Sequence, residues 1–457
     1  MNFSSEAQHR RMLETPMPKL VLSMALPTLA SQLVTVIYNT ADTYFVSQIG
    51  TSAAAAVGVV FSLMSIIQAF GFGCGMGANS LISRCLGAKK DEEAHRYGNS
   101  AFAAAFVFGL LLLTFGLLFL EPLMRLLGST ETILPYASGY ARYILLGAPI
   151  MCSSFVLNNI LRSEGEAVLA MIGLCTGGIL NMALDPLFIF ALNLGIRGAA
   201  LATILSQTVS FVILLTAFLK GKSIVSLGLR WVSRSPRDYL KILQTGFPTI
   251  CRQGLASLAS ALMNVQAAVF GDAAVAAMTI SYKIYLWVRN VVIGIGQGFQ
   301  PVAGYNFGAR CYRRVREAFR VACIVGTVIC TSAGLILAGV AEPLLYWFRD
   351  DAEVVRIGTA ALRYACAVMP FMAYSTYVNQ LYQSLGFSAQ ATFLASCRQG
   401  VFYLPLIALL PALLGLQGVE MTQASADFLT FAVSVPFQIW FYKKVLPRSD
   451  GKKEEAP

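Results

Sequence analysis

The chain has 457 residues, of which 56% are hydrophobic and only 12% are charged, and its formal net charge is +11. A soluble protein of this length needs far more charge to cover its surface, so the composition excludes a soluble globular protein and indicates a membrane protein. The Lys and Arg residues lie in short loops between apolar runs, a pattern that reflects membrane topology and argues against nucleic acid as a partner.

The apolar residues form runs of about 20, each long enough to cross a bilayer core of roughly 30 Å as a helix. The runs are unbroken rather than alternating, which argues against a membrane β-barrel. We therefore predict an all-α membrane protein with twelve transmembrane helices. The predicted spans are 20–46, 54–82, 100–120, 137–160, 168–192, 198–219, 240–264, 274–300, 318–340, 358–383, 390–412 and 418–442.

Loop charge predicts the orientation of these spans. Basic residues are concentrated before the first span, after the second, sixth and eighth spans, and in the C-terminal tail. Because basic loops stay in the cytoplasm, we expect a multi-pass protein of the cell (inner) membrane with both termini cytoplasmic. The apolar run from Leu20 is too long for the core of a signal peptide, so we expect it to remain as the first helix.

Polar residues interrupt the spans of the first half in chain order. Pro27, Tyr38 and Asp42 lie in the first span, and Phe61 and Met64 lie in the second. The later spans contribute one further aromatic residue and three polar residues: Phe155 in the fourth span, Asn181 and Asp185 in the fifth, and Thr203 in the sixth. Asn181 and Asp185 are four residues apart, so they share one face of a helix.

A basic stretch from Lys220 to Lys241, containing Trp231 and Pro236, separates the two halves. We expect it to be a cytoplasmic linker with a short interfacial helix. The predicted segments are an N-terminal segment at 1–19, an N-lobe at 20–219, the linker at 220–239, a C-lobe at 240–442 and a tail at 443–457.

The second half repeats the first with a shift of 248 − 27 = 221 residues. This shift places Pro27 on Pro248 and Asn158 on Asn379, and it holds without gaps over more than 130 residues, as a true internal repeat does. Each half has an even number of spans, so the two lobes should be related by an axis along the membrane normal.

Ionisable residues inside a membrane span indicate function, because burying a charge is costly unless it is compensated. By helix rise, Asp42, Asn181, Asp185 and Thr203 fall at similar depths in the outer half of the N-lobe. Two carboxylates, an amide and a hydroxyl make a hard oxygen site for Na⁺ or for shared protons. Under the repeat, Asp42 aligns with Met263, so the C-lobe lacks this pair.

The C-lobe instead carries charged residues whose sequence allows two interpretations: Arg252, Lys283, Arg289, Arg398 and Asp427. They form internal ion pairs, with Arg398 and Asp427 the best candidates, or some of them face a substrate cleft. Their role is left open by the sequence.

Two further groups of residues are candidates for transport. Pro27 and Pro248 each remove a helical hydrogen bond, which produces either a static bend or a hinge. A second group could form an adaptable cleft for a substrate: Tyr38, Phe61, Met64, Phe155, Met263, Tyr282 and Arg398.

The remaining reactive residues do not indicate a metalloenzyme. The ten cysteines are scattered without a CxxC motif, which argues against a disulfide framework or a metal cluster. His9 and His95 are the only histidines, and both lie in polar stretches. We predict no cofactor apart from a coupling ion.

Several stretches together resemble the multidrug and toxic compound extrusion (MATE) transporters, in particular the bacterial branch with an acidic site in the first lobe. They are IYNTADTYFV (37–46), LRSEGE (161–166), NMALDPLFIF (181–190), GAALAT (198–203) and GIGQGFQPVAGYNFGAR (294–310). The resemblance covers about residues 15–445. It implies a V-shaped pair of six-helix bundles that exports small-molecule drugs or metabolites, organic cations or other amphipathic compounds, against H⁺ or Na⁺ by rocker-switch alternating access.

In that branch, the resemblance assigns ion coupling to positions that here are Asp42, Asn181, Asp185 and Thr203, and the first-helix proline to Pro27. It implies a transporter rather than an enzyme, and we expect a monomer. Two alternatives stay open: a lipid-linked saccharide flippase of the same wider superfamily, and an intramembrane transferase. The transferase would need a cluster of catalytic residues near one interface, which the short loops do not supply.

Overall fold

The computed structural model describes residues 3–446, so the part of the predicted tail beyond 446 lies outside the described residues. Every regular element within 3–446 is helical. The α-helices are α1 (Phe3–Glu14), α2 (Met17–Ser47), α3 (Thr51–Gly87), α4 (Asp91–Leu118), α5 (Leu120–Leu126), α6 (Leu134–Ser163), α7 (Ala167–Pro186), α8 (Gly195–Leu219), α9 (Pro236–Ala268), α10 (Asp272–Gly308), α11 (Tyr312–Phe348), α12 (Ala352–Leu385), α13 (Ser388–Ser396), α14 (Tyr403–Leu414) and α15 (Leu416–Lys444). Two π-helical segments, Leu187–Ala191 and Cys397–Val401, continue α7 and join α13 to α14.

Twelve of these segments have the length of a membrane span, as predicted. They are α2, α3, α4, α6, α7 with its π segment, α8, α9, α10, α11, α12, the continuous segment from α13 to α14, and α15. Within the described chain, nine of them also have the apolar composition of a membrane span. The other three, α9, α10 and α15, are 33, 37 and 29 residues long. These three helices carry Arg252, Arg289 and Asp427.

The helices extend beyond the apolar runs that predicted them. The predicted span 54–82 is the middle of Thr51–Gly87, and the predicted span 100–120 corresponds to Asp91–Leu118. The added first turn of α4 contains three acidic residues, which are favourable at the positive end of the helix dipole. Hydropathy marks only the lipid-embedded part of a helix, so it underestimates the polar ends.

The predicted repeat is present at the level of individual hydrogen bonds. The Asn158 side chain donates to the carbonyl oxygen of Ala170 at 2.8 Å, and the Asn379 side chain donates to that of Ala391 at 2.5 Å. Both partners of the second bond lie 221 residues after those of the first. The same amide therefore joins the fourth span of each half to the start of its fifth span.

The described chain divides into two compact units. The first unit comprises the chain up to Glu14 together with Leu26–Ile250, and the second comprises Thr15–Ala25 together with the chain from Cys251 onward. The boundaries therefore fall inside α2 and α9. The predicted lobes follow the sequence repeat, and their boundaries stay a prediction.

The linker between the halves is fastened to the first unit by a buried acid. The Glu164 carboxylate, just after the end of α6, accepts hydrogen bonds from the Ser223 hydroxyl at 2.9 Å and from the backbone N–H groups of Ile224 at 3.2 Å and Val225 at 2.8 Å. Burial raises the pKa of Glu164 to about 8 despite these donors. Further along the linker, the expected short helix is a single 3-10 turn, Leu229–Trp231.

Candidate functional site

Asp185 lies at the end of α7, where the helix changes its geometry. Pro186 has no N–H group to donate to the carbonyl of Met182, which weakens the α-helical pattern at this point. The chain continues as the π-helical segment Leu187–Ala191, closed by a 3.0 Å bond from the Leu192 N–H to the Leu187 carbonyl. Short π-helical insertions occur frequently at functional sites. The Asp185 side chain is fully buried beside this one.

Asn181 connects Asp185 to the next span. Its side-chain nitrogen lies 3.3 Å from Asp185 Oδ1 and 3.4 Å from Thr203 Oγ1. The Thr203 hydroxyl in turn donates to the carbonyl oxygen of Ala199 at 3.0 Å, which fixes its orientation on α8. The structure therefore brings together three of the four residues predicted for ion coupling.

Asp42, the fourth of these residues, lies on α2 five residues before the helix ends at Ser47. Its charge interacts with Asp185 and with the hydroxyls of Tyr38 and Tyr140. All of these residues belong to the first unit. Two carboxylates in this environment repel each other when both are ionised, so the site favours an added proton or cation.

The site contains polar atoms that other groups do not satisfy. Among the described residues, Asp42 Oδ1, Asn181 Oδ1, Asp185 Oδ2 and the Tyr140 hydroxyl are shielded from solvent and have no hydrogen-bond partner. Buried polar groups in proteins are nearly always paired, so a cluster of unpaired oxygens indicates a site built for a ligand. Oxygen atoms of this kind bind Na⁺ or share protons.

Sequence reasoning missed Tyr140, which is fully buried on α6. A signal was available, because a tyrosine hydroxyl inside an apolar span needs a polar partner. Its hydroxyl lies toward Thr203 and within the electrostatic influence of both aspartates.

Glycines allow the helices of this site to approach each other closely. A Cβ at Gly178 of α7 would lie 2.9 Å from Val34 Cγ1 and 3.0 Å from the Tyr38 ring on α2. A Cβ at Gly198 of α8 would lie 2.6 Å from the Phe188 carbonyl oxygen in the π-helical segment. Larger residues would therefore separate the elements that carry Asp42, Asp185 and Thr203.

The candidate cleft residues of the first unit differ in exposure. Phe61 is 53% exposed, and Tyr38 is half-buried one helical turn before Asp42. Met64 and Phe155 are buried, and the Phe155 ring packs against Phe72 with centroids 4.3 Å apart. Phe61 and Tyr38 are thus the accessible members of this group.

In the second unit, the candidates Met263 and Tyr282 belong to an apolar core. Met263 is buried in a cluster that includes Tyr403, Ile407 and Val419, and Tyr282 packs against that cluster. These positions serve packing within the second unit.

The predicted pair of Arg398 and Asp427 is present and forms part of a larger network. Arg398 Nε donates to Asp427 Oδ1 at 2.7 Å, and the same guanidinium donates to the Tyr285 hydroxyl. The Tyr285 hydroxyl donates to Asp427 Oδ2 at 2.6 Å, and the Gln423 amide donates to Oδ1 at 3.1 Å. Gln423 was not predicted, although its spacing to Asp427 repeats that of Asn181 to Asp185.

The other basic residues of the second unit lie in different environments. Arg289 of α10 is buried, whereas Lys283 on the same helix is exposed. Arg252 of α9 is half-buried, and its charge interacts with those of Arg289 and Arg398.

Pro27 and Pro248 occupy equivalent positions inside α2 and α9. Each lies within two residues of the point where its helix passes from one compact unit to the other. The helix backbone lacks one hydrogen bond at each position, because proline has no N–H group.

Within the described residues, no group of three or more His, Cys, Asp or Glu side chains is placed to hold a metal ion. A coupling ion at the first-unit site would instead have the carboxylates of Asp42 and Asp185, the Asn181 amide and the hydroxyls as its ligands.

Comparison with known proteins places this geometry in a family. The MatE family model matches residues 27–187 and 248–409, which are the two repeats. The chain is 25% identical over 408 residues to the multidrug export protein MepA of Staphylococcus saprophyticus, covering 89% of this chain and 90% of the relative.

Two solved structures have the same fold. An outward-facing multidrug resistance MATE transporter of the MOP superfamily superposes with a TM-score of 0.90 at 26% identity, covering 94% of this chain and 97% of that one. A MOP superfamily transporter from Pyrococcus furiosus, described as having a binding pocket of reversed polarity, superposes with a TM-score of 0.89 at 26% identity, covering 95% and 98%.

Proposed function

Since this chain belongs to the MatE family of membrane transporters, we propose that it is a secondary active multidrug exporter driven by inward movement of H⁺ or Na⁺. The family predicted from the sequence motifs is thereby confirmed. Its relative MepA exports multiple drugs, which supports amphipathic small molecules as the substrate class. Membership of a transporter family favours transport over the alternative of an intramembrane transferase.

The observation that carries the proposal is the group of unpaired oxygens in the first unit. Asp42 and Asp185 each keep a buried carboxylate oxygen without a hydrogen-bond partner among the described residues, and Asn181 does the same with its amide oxygen. A cation or proton arriving here gains ligands and removes carboxylate repulsion, so the site has the chemistry of a coupling site.

In the proposed cycle, an ion enters from outside and neutralises the pair of Asp42 and Asp185. Moving one charge inward across the membrane potential releases about 2.3 kcal/mol per 100 mV, which supplies energy for export. Because α2 carries both Asp42 and Pro27, a change of charge at the first can act on the bend at the second. Pro27 and the equivalent Pro248 serve as the hinges of alternating access.

The basic loops support the same orientation as before, with both termini in the cytoplasm of a cell whose inner membrane holds the protein as a monomer.

The direct test is ethidium efflux from vesicles containing the purified protein, under separately imposed H⁺ and Na⁺ gradients. The proposal predicts efflux that depends on at least one gradient and leaves ethidium chemically unchanged. Equal ethidium distribution with and without either gradient would overturn it. A lipid-linked saccharide flippase would instead move its lipid substrate and leave ethidium in place.

A further inference from the structure

The second unit contains more buried positive charge than it neutralises. Arg252 lies on α9, Arg289 on α10 and Arg398 in the π-helical segment Cys397–Val401. The charges of Arg289 and Arg398 both act on Arg252, so the three guanidinium groups form one electrostatic cluster. Asp427 is the acid that interacts with this cluster.

Asp427 is already committed to one of the three arginines. Its two carboxylate oxygens accept from Arg398 Nε at 2.7 Å and from the Tyr285 hydroxyl at 2.6 Å. The Arg398 guanidinium also lies over the Tyr285 ring, 5.7 Å from its centroid. Arg398 is therefore held in place as a structural element of the second unit.

Arg252 and Arg289 lack such a partner. Within the described part of the chain, neither of them forms an ion pair, and Arg289 Nε is buried without a hydrogen-bond partner. Arg289 is only 6% exposed. With three arginines and one aspartate, the cluster has a formal charge of 3 − 1 = +2.

The shared fold does not require these charges. Subtracting 221 places Arg252, Arg289 and Arg398 on Ser31, Gln68 and Gly177, so the first half builds the same helices with neutral residues. A buried and unneutralised guanidinium costs several kcal/mol, which selection removes unless the charge has a use.

We propose that Arg252 and Arg289 bind an anionic group of the transported compound, such as a carboxylate, phosphate or sulfonate. This inference rests on the proposed export function and specifies its substrates as anionic or zwitterionic amphiphiles. A guanidinium offers paired N–H donors that match these groups, and the binding replaces the missing neutralisation.

Neighbouring polar groups extend the site. Gln399 follows Arg398 in the same π-helical segment, and both polar atoms of its buried side chain lack a hydrogen-bond partner within the described chain. The Gln423 side-chain oxygen is likewise unpaired. These amides supply further hydrogen bonds to a polar ligand beside the arginines.

The test is equilibrium binding of 5-carboxyfluorescein, an anionic dye, to the purified full-length protein, measured by fluorescence anisotropy. Arg289→Gln should weaken binding by about tenfold or more, as expected when one charge-assisted hydrogen bond is lost. Lys283→Gln removes the same charge from an exposed position on the same helix and should leave the Kd unchanged. Arg289→Lys should retain part of the affinity.

Ethidium, a cation, serves as the second probe on the same samples. Its Kd should stay the same or tighten in Arg289→Gln, which also shows that the variant is folded. Arg252→Gln provides the same reading should Arg289→Gln fail to elute as a single species in size-exclusion chromatography. Carboxyfluorescein binding that is absent from the wild type, or equal in wild type and both variants, overturns the inference.

Binding and transport separate the two proposals. Ethidium efflux that depends on a gradient, with carboxyfluorescein binding insensitive to Arg252 and Arg289, leaves the exporter standing and rejects the anion site. Anion binding that is lost in the variants, without any gradient-driven efflux of either dye, retains the site and rejects the exporter.

Discussion

The side-chain nitrogen of Asn181 lies 3.3 Å from Oδ1 of Asp185, one helical turn further along α7. This contact uses the only donor group of the amide and leaves the other oxygen of each side chain unpaired. The pair is thus a partly completed coordination shell. Asp42, interacting with Asp185 from α2, supplies the second carboxylate.

Tyr140 should contribute to ion binding without being needed for folding. Its buried hydroxyl has no hydrogen-bond partner among the described residues, so Tyr140→Phe removes a ligand and leaves the packing nearly unchanged. We expect the variant to need a higher concentration of the coupling ion for half-maximal ethidium efflux. Tyr136→Phe, one turn earlier on α6 and exposed, is the matched control and should behave as the wild type. Equal ion dependence in both variants would remove Tyr140 from the site.

Helices α3 and α9 approach so closely that a methyl group is not accommodated. A Cβ at Gly246 would overlap the carbonyl oxygen of Gly73, within the first unit. Gly246→Ala should therefore lower the free energy of unfolding by about 1–3 kcal/mol, the usual range for overpacking. Gly254→Ala lies on the same helix with open space around its Cβ, and should be neutral or stabilising by up to about 1 kcal/mol. Thermal unfolding in detergent compares the two, and a Gly246→Ala protein as stable as Gly254→Ala would contradict the close approach.

Glu164 should make stability depend on pH. Burial raises its pKa to about 8 in the folded protein from an ordinary value of 4.5, so the folded state favours the protonated acid. The associated stability is fully present below about pH 4.5 and is lost as the pH rises toward 8.

We therefore expect the Tm of the wild type to fall, relative to that of Glu164→Gln, between pH 5 and pH 8, and the difference to level off above the folded pKa of about 8. Glu166→Gln is the nearby control. A constant difference in Tm across this pH range would contradict the assignment.

Pro27 should matter for movement more than for stability. Pro27→Ala restores an N–H group that can donate to the Ser23 carbonyl, which straightens and strengthens α2. We expect a higher Tm, an unchanged Kd for ethidium and slower efflux. Pro436→Ala makes the same change inside α15, away from the boundaries between units, and should leave efflux unaltered. Wild-type efflux by Pro27→Ala would exclude a hinge at this position.

The sequence predicted those features that depend on the bilayer and on the repeat. A span must satisfy its backbone internally, so the twelve helices followed from apolar length alone. The 221-residue register, read from residues such as Asn158 and Asn379, recurs in their hydrogen bonds to Ala170 and Ala391. The pairing of Arg398 with Asp427 was expected because isolated buried charges seek partners.

Other features depend on tertiary contacts that no local pattern reveals. The attachment of the linker to Glu164 joins residues about 60 positions apart, and the RSEGE motif gave no indication of it. The burial of Tyr140 beside the aspartates depends on how α6 packs against its neighbours. The division of α2 and α9 between two compact units likewise reflects packing rather than sequence order.

The central claim is that the first-unit carboxylates couple ion entry to solute exit. Ethidium efflux from proteoliposomes under imposed H⁺ and Na⁺ gradients tests it, with Asp42→Asn and Asp185→Asn compared with Asp272→Asn, an exposed acid at the start of α10. We predict that both first-unit variants lose gradient-driven efflux while still binding ethidium, and that Asp272→Asn retains the wild-type rate. Efflux at the full rate by Asp42→Asn and Asp185→Asn under the same gradients would contradict the claim.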